Sequence, residues 1–226
     1  MVKILHASID ENNRAKNGKA GDQTGKEVCE RNWYNKPWDC VIRFKSAQKA
    51  NAVAVAMERA VSNDHIGYDQ NQRNTCLDEA RKVGYDPGRI TKDCETDCSA
   101  LVALACMYAG IPENRLYISG NSATTRNLRQ RLESTGEVDV FVTHDLTRSS
   151  DKLLRGDILL STGHHVAVVK TGNSAVKNGT LKTVHEVALE VKAGKWGNGE
   201  TRKELLTKAG YNYEEVRAEV NRICKR

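Results

Sequence analysis

The sequence predicts an α+β domain followed by a small three-helix bundle, and three observations carry that reading. Residues 98–109 are apolar on nearly every side (Leu101, Val102, Leu104, Ala105, Cys106, Met107), as a helix buried at a domain centre is. Short apolar runs recur at 2–8, 38–44, 138–143, 157–161 and 164–171, the length and composition of strands. Near residue 183 the pattern changes. Val184, Val187, Ala188 and Val191 then repeat at i, i+3, i+4 and i+7, one face of a helix.

Taken in order, residues 2–8 form the first strand, and the stretch from Glu11 to Gly25 is a loop broken by Gly18, Gly21 and Gly25. Residues 38–44 give the next strand. Ser46 is placed to cap an Ala-rich helix over 47–62, because its hydroxyl can accept a free N–H of the first turn. A helix over 71–83 ends near Gly84, and Pro87 and Gly88 mark the loop leading to Cys98. Gly110 ends the central helix, a polar helix spans 122–134, and three strands follow. This domain occupies 1–174, a turn-rich linker 175–182 and the helical tail 183–226. In the tail Leu205, Leu206 and Ala209 give a second helix between Gly199 and Gly210. Val216, Val220 and Ile223 give a third, so the bundle's core is thin.

The 226 residues carry a formal net charge of +6. A modest positive balance suits an anionic polymer. The cations are scattered, without a basic run interleaved with aromatics, which argues against nucleic acid as partner. No apolar run approaches the ~18 residues of a membrane span, so no membrane insertion is expected. Residues 1–6 lack the apolar core of a signal peptide. Seven cysteines, odd in number and irregularly spaced, favour free thiols over a disulfide framework.

The chemistry-bearing pattern is Asp97-Cys98-Ser99 at the start of the apolar helix, then Gly156-Asp157 before a strand and His164-His165-Val166-Ala167-Val168 on the next. A cysteine at a helix N-terminus has its thiolate favoured by the macrodipole and free N–H groups. A histidine on an adjacent strand can take the thiol proton and return it to a leaving amine. Taken alone, Cys98 reads more readily as a buried structural thiol, and it is the histidine strand in the right order that favours the nucleophile. His164 and His165 could ligate zinc, but no Cys-x-x-Cys or His-Glu-x-x-His accompanies them, so no metal or other cofactor is expected.

The two halves of this pattern resemble those of an NlpC-type papain-like cell-wall cysteine peptidase, a group related to CHAP amidases. The resemblance implies Cys98 as nucleophile and His165 as base. In that group the histidine strand is followed by another whose polar residue orients the imidazole. Here the chain leaves for the linker after Val168-Val169-Lys170, whereas residues 2–8 resemble the missing strand, with His6 before a small residue and Ser8. The domain therefore reads as circularly permuted, with His6 as third catalytic residue, the strand at 38–44 following it, and Asn173 next in line for that role. Gly67-Tyr68 matches a tyrosine lining the oxyanion region, and Asp97 and Ser99 are expected to shape the turn around the nucleophile. Glu95, Asp22 and Gln23 are expected near the cleft without a derivable role.

The tail resembles one cell-wall-binding repeat of the Cpl lysozyme type, on Ala193-Gly194-Lys195-Trp196-Gly197-Asn198-Gly199-Glu200, Arg202, Leu206, Tyr211, Tyr213, Val216 and Val220-Asn221. Arg202 and Asn221 are candidate ligand contacts. Trp196 is either a ligand contact or the plug of the bundle core. Together the resemblances imply a phage endolysin that hydrolyses an amide of bacterial peptidoglycan through a Cys thioester. The bond is either one between stem-peptide residues or the N-acetylmuramoyl-L-alanine amide. Such a chain would be made in the host cytoplasm without a signal peptide and act at the wall after release. A single repeat binds monovalently, so weak homo-oligomerisation is compatible with it. Two other readings stay open: a wall-binding protein that no longer catalyses, and an acyltransferase using the same thioester.

Overall fold

The computed structural model describes residues 1–172, 184–208 and 211–224. The linker at 175–182, Asn173, Ala209 and Gly210 lie outside the described residues. In chain order the elements are β1 (Lys3–Ala7), β2 (Val28–Asn32), β3 (Cys40–Phe44), α1 (Ala47–Val61), β4 (Ile66–Tyr68), α2 (Thr75–Arg81), β5 (Cys94–Thr96) and α3 (Cys98–Tyr108). They continue with α4 (Glu113–Leu116), β6 (Tyr117–Ile118), β7 (Asn121–Ser122), α5 (Leu128–Glu133), β8 (Val138–Phe141), α6 (His144–Thr147), β9 (Ile158–Ser161) and β10 (His165–Thr171). The tail holds α7 (Val184–Lys192), α8 (Gly199–Lys208) and α9 (Tyr213–Cys224). By its contacts the chain divides into two compact units, Met1–Val176 and Lys177–Arg226.

The first unit is a mixed α/β structure built on a six-stranded antiparallel sheet in the order β2-β1-β10-β9-β3-β8. Alternation along the strands sorts side chains to two faces. Leu5, Ile42, Ile158, Val166 and Val168 join the core that includes Val53 and Met57 of α1 and Leu101, Val102 and Leu104 of α3. Ile4, Val41, Leu159, Ala167 and Val169 join a second cluster with Trp38, Leu146 and Leu153. Helix α3 is buried from Cys98 to Met107, which explains its lack of a polar face. Ser46 caps α1 by accepting the Lys49 N–H at 3.2 Å.

The first strand pairs with β10 at the register Leu5↔Val168, so the first and last strands of this unit lie side by side inside the sheet. The strand on its far side is not the one at 38–44. It is β2, with His6 opposite Cys29, while β3 sits between β9 and β8. The residues of β2 explain why it escapes notice: Val28 and Cys29 are apolar, but Glu30, Arg31 and Asn32 follow, as suits an edge strand that exposes its end.

Gly156-Asp157 has a structural reason here. Gly156 sits at φ +83°, and a Cβ there would lie 2.0 Å from the Ala50 carbonyl oxygen, so only glycine lets α1 pass the turn before β9. Asp157, 1% exposed, takes the Arg43 fork, Nε to Oδ1 and Nη2 to Oδ2 at 2.7 Å each, and accepts the Leu154 N–H at 2.7 Å.

In the second unit Val187, Val191, Leu206 and Val216 form the core, with Trp196, Tyr211 and Tyr213 packed on it. Asn212 Oδ1 accepts the Glu214 and Glu215 N–H groups and so caps α9.

Candidate active site

The sheet brings two sequence-distant histidines together. His6 Nδ1 and His165 Nε2 lie 2.7 Å apart, their rings edge-on with centroids at 5.0 Å. Both stand on the parity of Ile4, Ala167 and Val169, where Trp38 covers them, its ring centroid 6.2 Å from that of His165. His6 is 1% exposed and His165 is half-buried at the start of β10. His164 lies in the preceding turn, exposed to solvent.

Burial pushes the His165 imidazole down to about 4, with the charges of Lys36 and Arg31 adding to it. Burial, His165, Arg31 and Lys36 push His6 down to about 3. The pair is therefore neutral near pH 7, and its bond has one proton. If His165 Nε2 donates, His6 Nδ1 accepts and His165 Nδ1 is left as a free lone pair. His6 Nε2 then carries the other proton, and among the described residues that buried atom has no partner.

Cys98 opens α3 directly after Asp97, close enough to the backbone N–H groups of Val166 and Ser99 for them to favour its thiolate. The thiol is thus against β10 at the residue following His165. The helix N-terminus does not make it acidic. Burial, then the Asp97 carboxylate, push it up to about 12, outweighing the two N–H groups and Arg73. Burial thus disfavours the thiolate expected from the helix start, because a cysteine only 6% exposed loses more in hydration than the nearby N–H dipoles return.

Asp97 and Ser99 serve the helix start. Asp97 Oδ1 accepts the Ser99 N–H at 2.9 Å, the Ala100 N–H at 2.7 Å and the Ser99 hydroxyl at 2.9 Å. Arg73, which no motif in the sequence marks, holds this cap in place. Its Nε and Nη2 reach Asp97 Oδ2 and Oδ1 at 2.6 and 3.1 Å, and Nη2 also reaches Ser99 Oγ at 3.0 Å. Nη1 binds Asn121 Oδ1 at 2.6 Å and the Ser122 carbonyl at 3.0 Å, and Nη2 also reaches the Ala123 carbonyl at 2.8 Å. Arg73 sits alone between polar residues, 24 positions before its partner, so no local pattern marks it.

Tyr68 ends β4, is 4% exposed and lies close enough to Cys98 for the sulfur's charge to help raise its phenol above the ordinary range, after burial. Its hydroxyl accepts from Gln70 Nε2 at 3.2 Å. Asp22 and Gln23 belong to the support beneath it. Asp22 Oδ2 accepts the Glu27 and Val28 N–H groups, Gln23 N–H donates to Glu27 Oε1, and Glu27 Oε2 accepts the Tyr68 N–H at 2.9 Å. Glu95 on β5 is 3% exposed with no partner for either oxygen among the described residues. Burial, then Glu27, Asp69, Glu11 and Asp10, push it up to about 8.

In the tail, Trp196 is half-buried against the bundle core, edge-on to Tyr211 at 5.8 Å, with Nε1 donating to Glu190 Oε2 at 3.2 Å. Arg202 binds the Gly197 carbonyl at 2.9 Å and Asn198 Oδ1 at 2.7 Å, fixing the turn before α8, while Asn221 is exposed on α9. All seven cysteines are free. Among the described residues no group of three or more His, Cys, Asp or Glu side chains is placed to hold a metal ion, and no helix is long and apolar enough to cross a membrane.

The model of the endolysin-like domain family matches residues 4–176, and that of the CW_7 repeat matches residues 185–224. No curated protein and no solved structure matches the chain.

Proposed function

The chain belongs to the endolysin-like domain family, and from that membership we propose that it is a cysteine-type peptidoglycan hydrolase whose 183–226 tail, the part carrying the CW_7 repeat, holds it on the bacterial cell wall. The observation that carries the chemistry is the 2.7 Å bond between His6 and His165, with Cys98 opening α3 close to Val166, the residue after His165. With Nε2 engaged by His6, the nitrogen of His165 left for the nucleophile is Nδ1.

The reading runs as follows. Cys98 Sγ attacks the amide carbonyl as its proton passes to His165 Nδ1. The His165 Nε2–H bond to His6 holds the tautomer that accepts that proton and supports the imidazolium, the service a third residue gives a triad. The developing oxyanion is met by backbone N–H and the Tyr68 hydroxyl. The Nδ1 proton then goes to the leaving amine, the C–N bond breaks and an acyl thioester remains. Water gives a proton to His165, attacks the thioester, and releases a carboxylic acid as the sulfur recovers its proton. Because thiol and imidazole are both neutral at rest, transfer accompanies attack. Asp97 and Ser99, pinned by Arg73, position the helix start and do not touch substrate.

The fold is read as a papain-like NlpC-type domain in permuted order, since the strand that flanks the histidine strand in space comes first in the chain. The domain, 1–174, precedes the 175–182 linker. Arg202 and Asn221 are the proposed wall contacts of the tail, and Trp196 serves its core. The scissile bond is a stem-peptide amide or the muramoyl-L-alanine amide.

The test is mass spectrometry of fragments released from purified walls. The parent should release them. Cys98→Ala should release none while still sedimenting with the walls. Release by Cys98→Ala within tenfold of the parent would sink the nucleophile assignment, and an inert parent that still binds would leave a binding protein. Free lactyl-muramic termini would identify the amidase, and new amino termini without them the endopeptidase.

A further inference from the structure

Between β2 and β3 the chain runs past the histidine pair from Trp33 to Trp38. Tyr34 and Trp38 lie with ring centroids 5.7 Å apart, and Trp38 Nε1 donates to the Tyr34 carbonyl at 3.2 Å, so the two rings form one shelf that reaches His165. Two exposed cations frame it. Lys36 lies in the turn between the rings. Arg31 lies on β2, its Nη2 3.4 Å from Ser8 Oγ, just past the strand that carries His6. The neighbouring Lys3 and Lys170 both pair with Glu30, but among the described residues no carboxylate pairs with Arg31 or Lys36. Both act on the two imidazoles and disfavour their protonation. Two exposed cations beside the imidazoles, with no carboxylate partner among the described residues, make this face attractive to an anion.

We propose that Arg31 and Lys36, set around the Tyr34–Trp38 shelf, bind a free carboxylate of the stem peptide next to the scissile amide. This deepens the hydrolase reading and rests on it. Arg31 offers a planar fork that matches a carboxylate and Lys36 a mobile point charge. The partly exposed Tyr34 ring, backed by buried Trp38, packs the apolar part of the same substrate residue. A bound carboxylate would also cancel the field of the two cations, so that His165 accepts the thiol proton more readily once substrate is seated.

The experiment uses the full chain and two soluble muropeptides, each carrying both the muramoyl-L-alanine amide and the stem-peptide amides, that differ only in a side carboxylate, free in one and amidated in the other. The parent should cleave the free form with kcat/KM about tenfold higher, the range of one charge-assisted hydrogen bond. That preference should shrink as salt rises. Lys36→Gln and Arg31→Gln should each raise KM for the free form several-fold and erase most of the preference for it over the amidated form, while Lys36→Arg keeps the preference. Melting temperatures equal to the parent's exclude unfolding, since both side chains are exposed. Equal cleavage of the two forms by the parent, or equal loss on both forms in the variants, would overturn the subsite. A parent that cleaves neither form would overturn the hydrolase reading itself.

Discussion

Replacing Arg73 by methionine tests how the nucleophile is held. The guanidinium and the Asp97 carboxylate have side chains 10% and 11% exposed, and they meet at 2.6 Å. Methionine keeps much of the stem's volume but strands the carboxylate with only the Ser99 and Ala100 N–H groups and the Ser99 hydroxyl. Removing one partner of a buried pair costs about 3–5 kcal/mol. In a domain of this size each kcal/mol moves the melting temperature about 2–4 °C, so Arg73→Met should melt roughly 6–20 °C below the parent. Arg73 also fastens Asn121, Ser122 and Ala123 beside the cap, which lysine cannot do with one ammonium. Arg73→Lys should therefore lose stability and kcat as well, with KM less affected, because the helix start drifts. The assay is calorimetry beside fragment release at a temperature where every variant is folded. Asp97→Asn with Arg73→Met should cost less than the sum of the two singles, since a buried pair removed together leaves no stranded charge. Additive losses, or a methionine variant that melts with the parent, would refute the clamp.

His6→Ala should lower the release rate by orders of magnitude with wall binding unchanged, and His6→Gln should retain more, because the amide can still accept from His165 Nε2; equal rates in the parent and His6→Ala would remove His6 from the mechanism. Glu95, raised to about 8, stays protonated in the folded state while the unfolded carboxyl ionises near 4.5. Between those values the folded state holds the extra proton, so this group's contribution to stability falls as pH rises from about 4.5 to 8. Glu95→Gln should remove that slope and gain on the parent toward pH 8 in urea titrations; parallel pH curves would contradict it. A chain ending at residue 176 should fold and cleave soluble fragments at the parent's rate but lyse whole cells slowly, as read by turbidity; equal lysis would show that the tail is not the anchor.

The elements legible in the sequence were those whose burial is complete or whose period is regular. Helix 98–109 announced itself by having no polar face. The run at 184–191 did so by its period, and the strand at 2–8 by its apolar alternation with one histidine. Strand β2 was illegible because its charged half faces solvent at the sheet edge, so the run is too short to register. Arg73 was illegible because its partners come from β7 and the start of α3, and only the fold makes them neighbours. The direction of the Cys98 shift is illegible in the sequence for a related reason. A helix N-terminus can be read locally, whereas the depth at which the sulfur is buried depends on the whole sheet.

That burial bears on why a histidine occupies position 6. The neighbours of His6 on β1, Leu5 and Ala7, are wholly buried and apolar, and an apolar residue would fill position 6 without an unmet polar atom. The imidazole instead leaves Nε2 without a partner among the described residues, a penalty of about 1–3 kcal/mol for a buried polar group. Packing alone gives no return for that penalty. The return lies across the strand pair, where Nδ1 can accept the Nε2 proton of His165 and so leave His165 Nδ1 unprotonated. Glutamine would offer an acceptor on a flexible stem, and a carboxylate would carry a charge into a site of 1% exposure. A neutral imidazole, depressed to about 3, is an acceptor that stays uncharged throughout the range in which His165 must be free to take a proton.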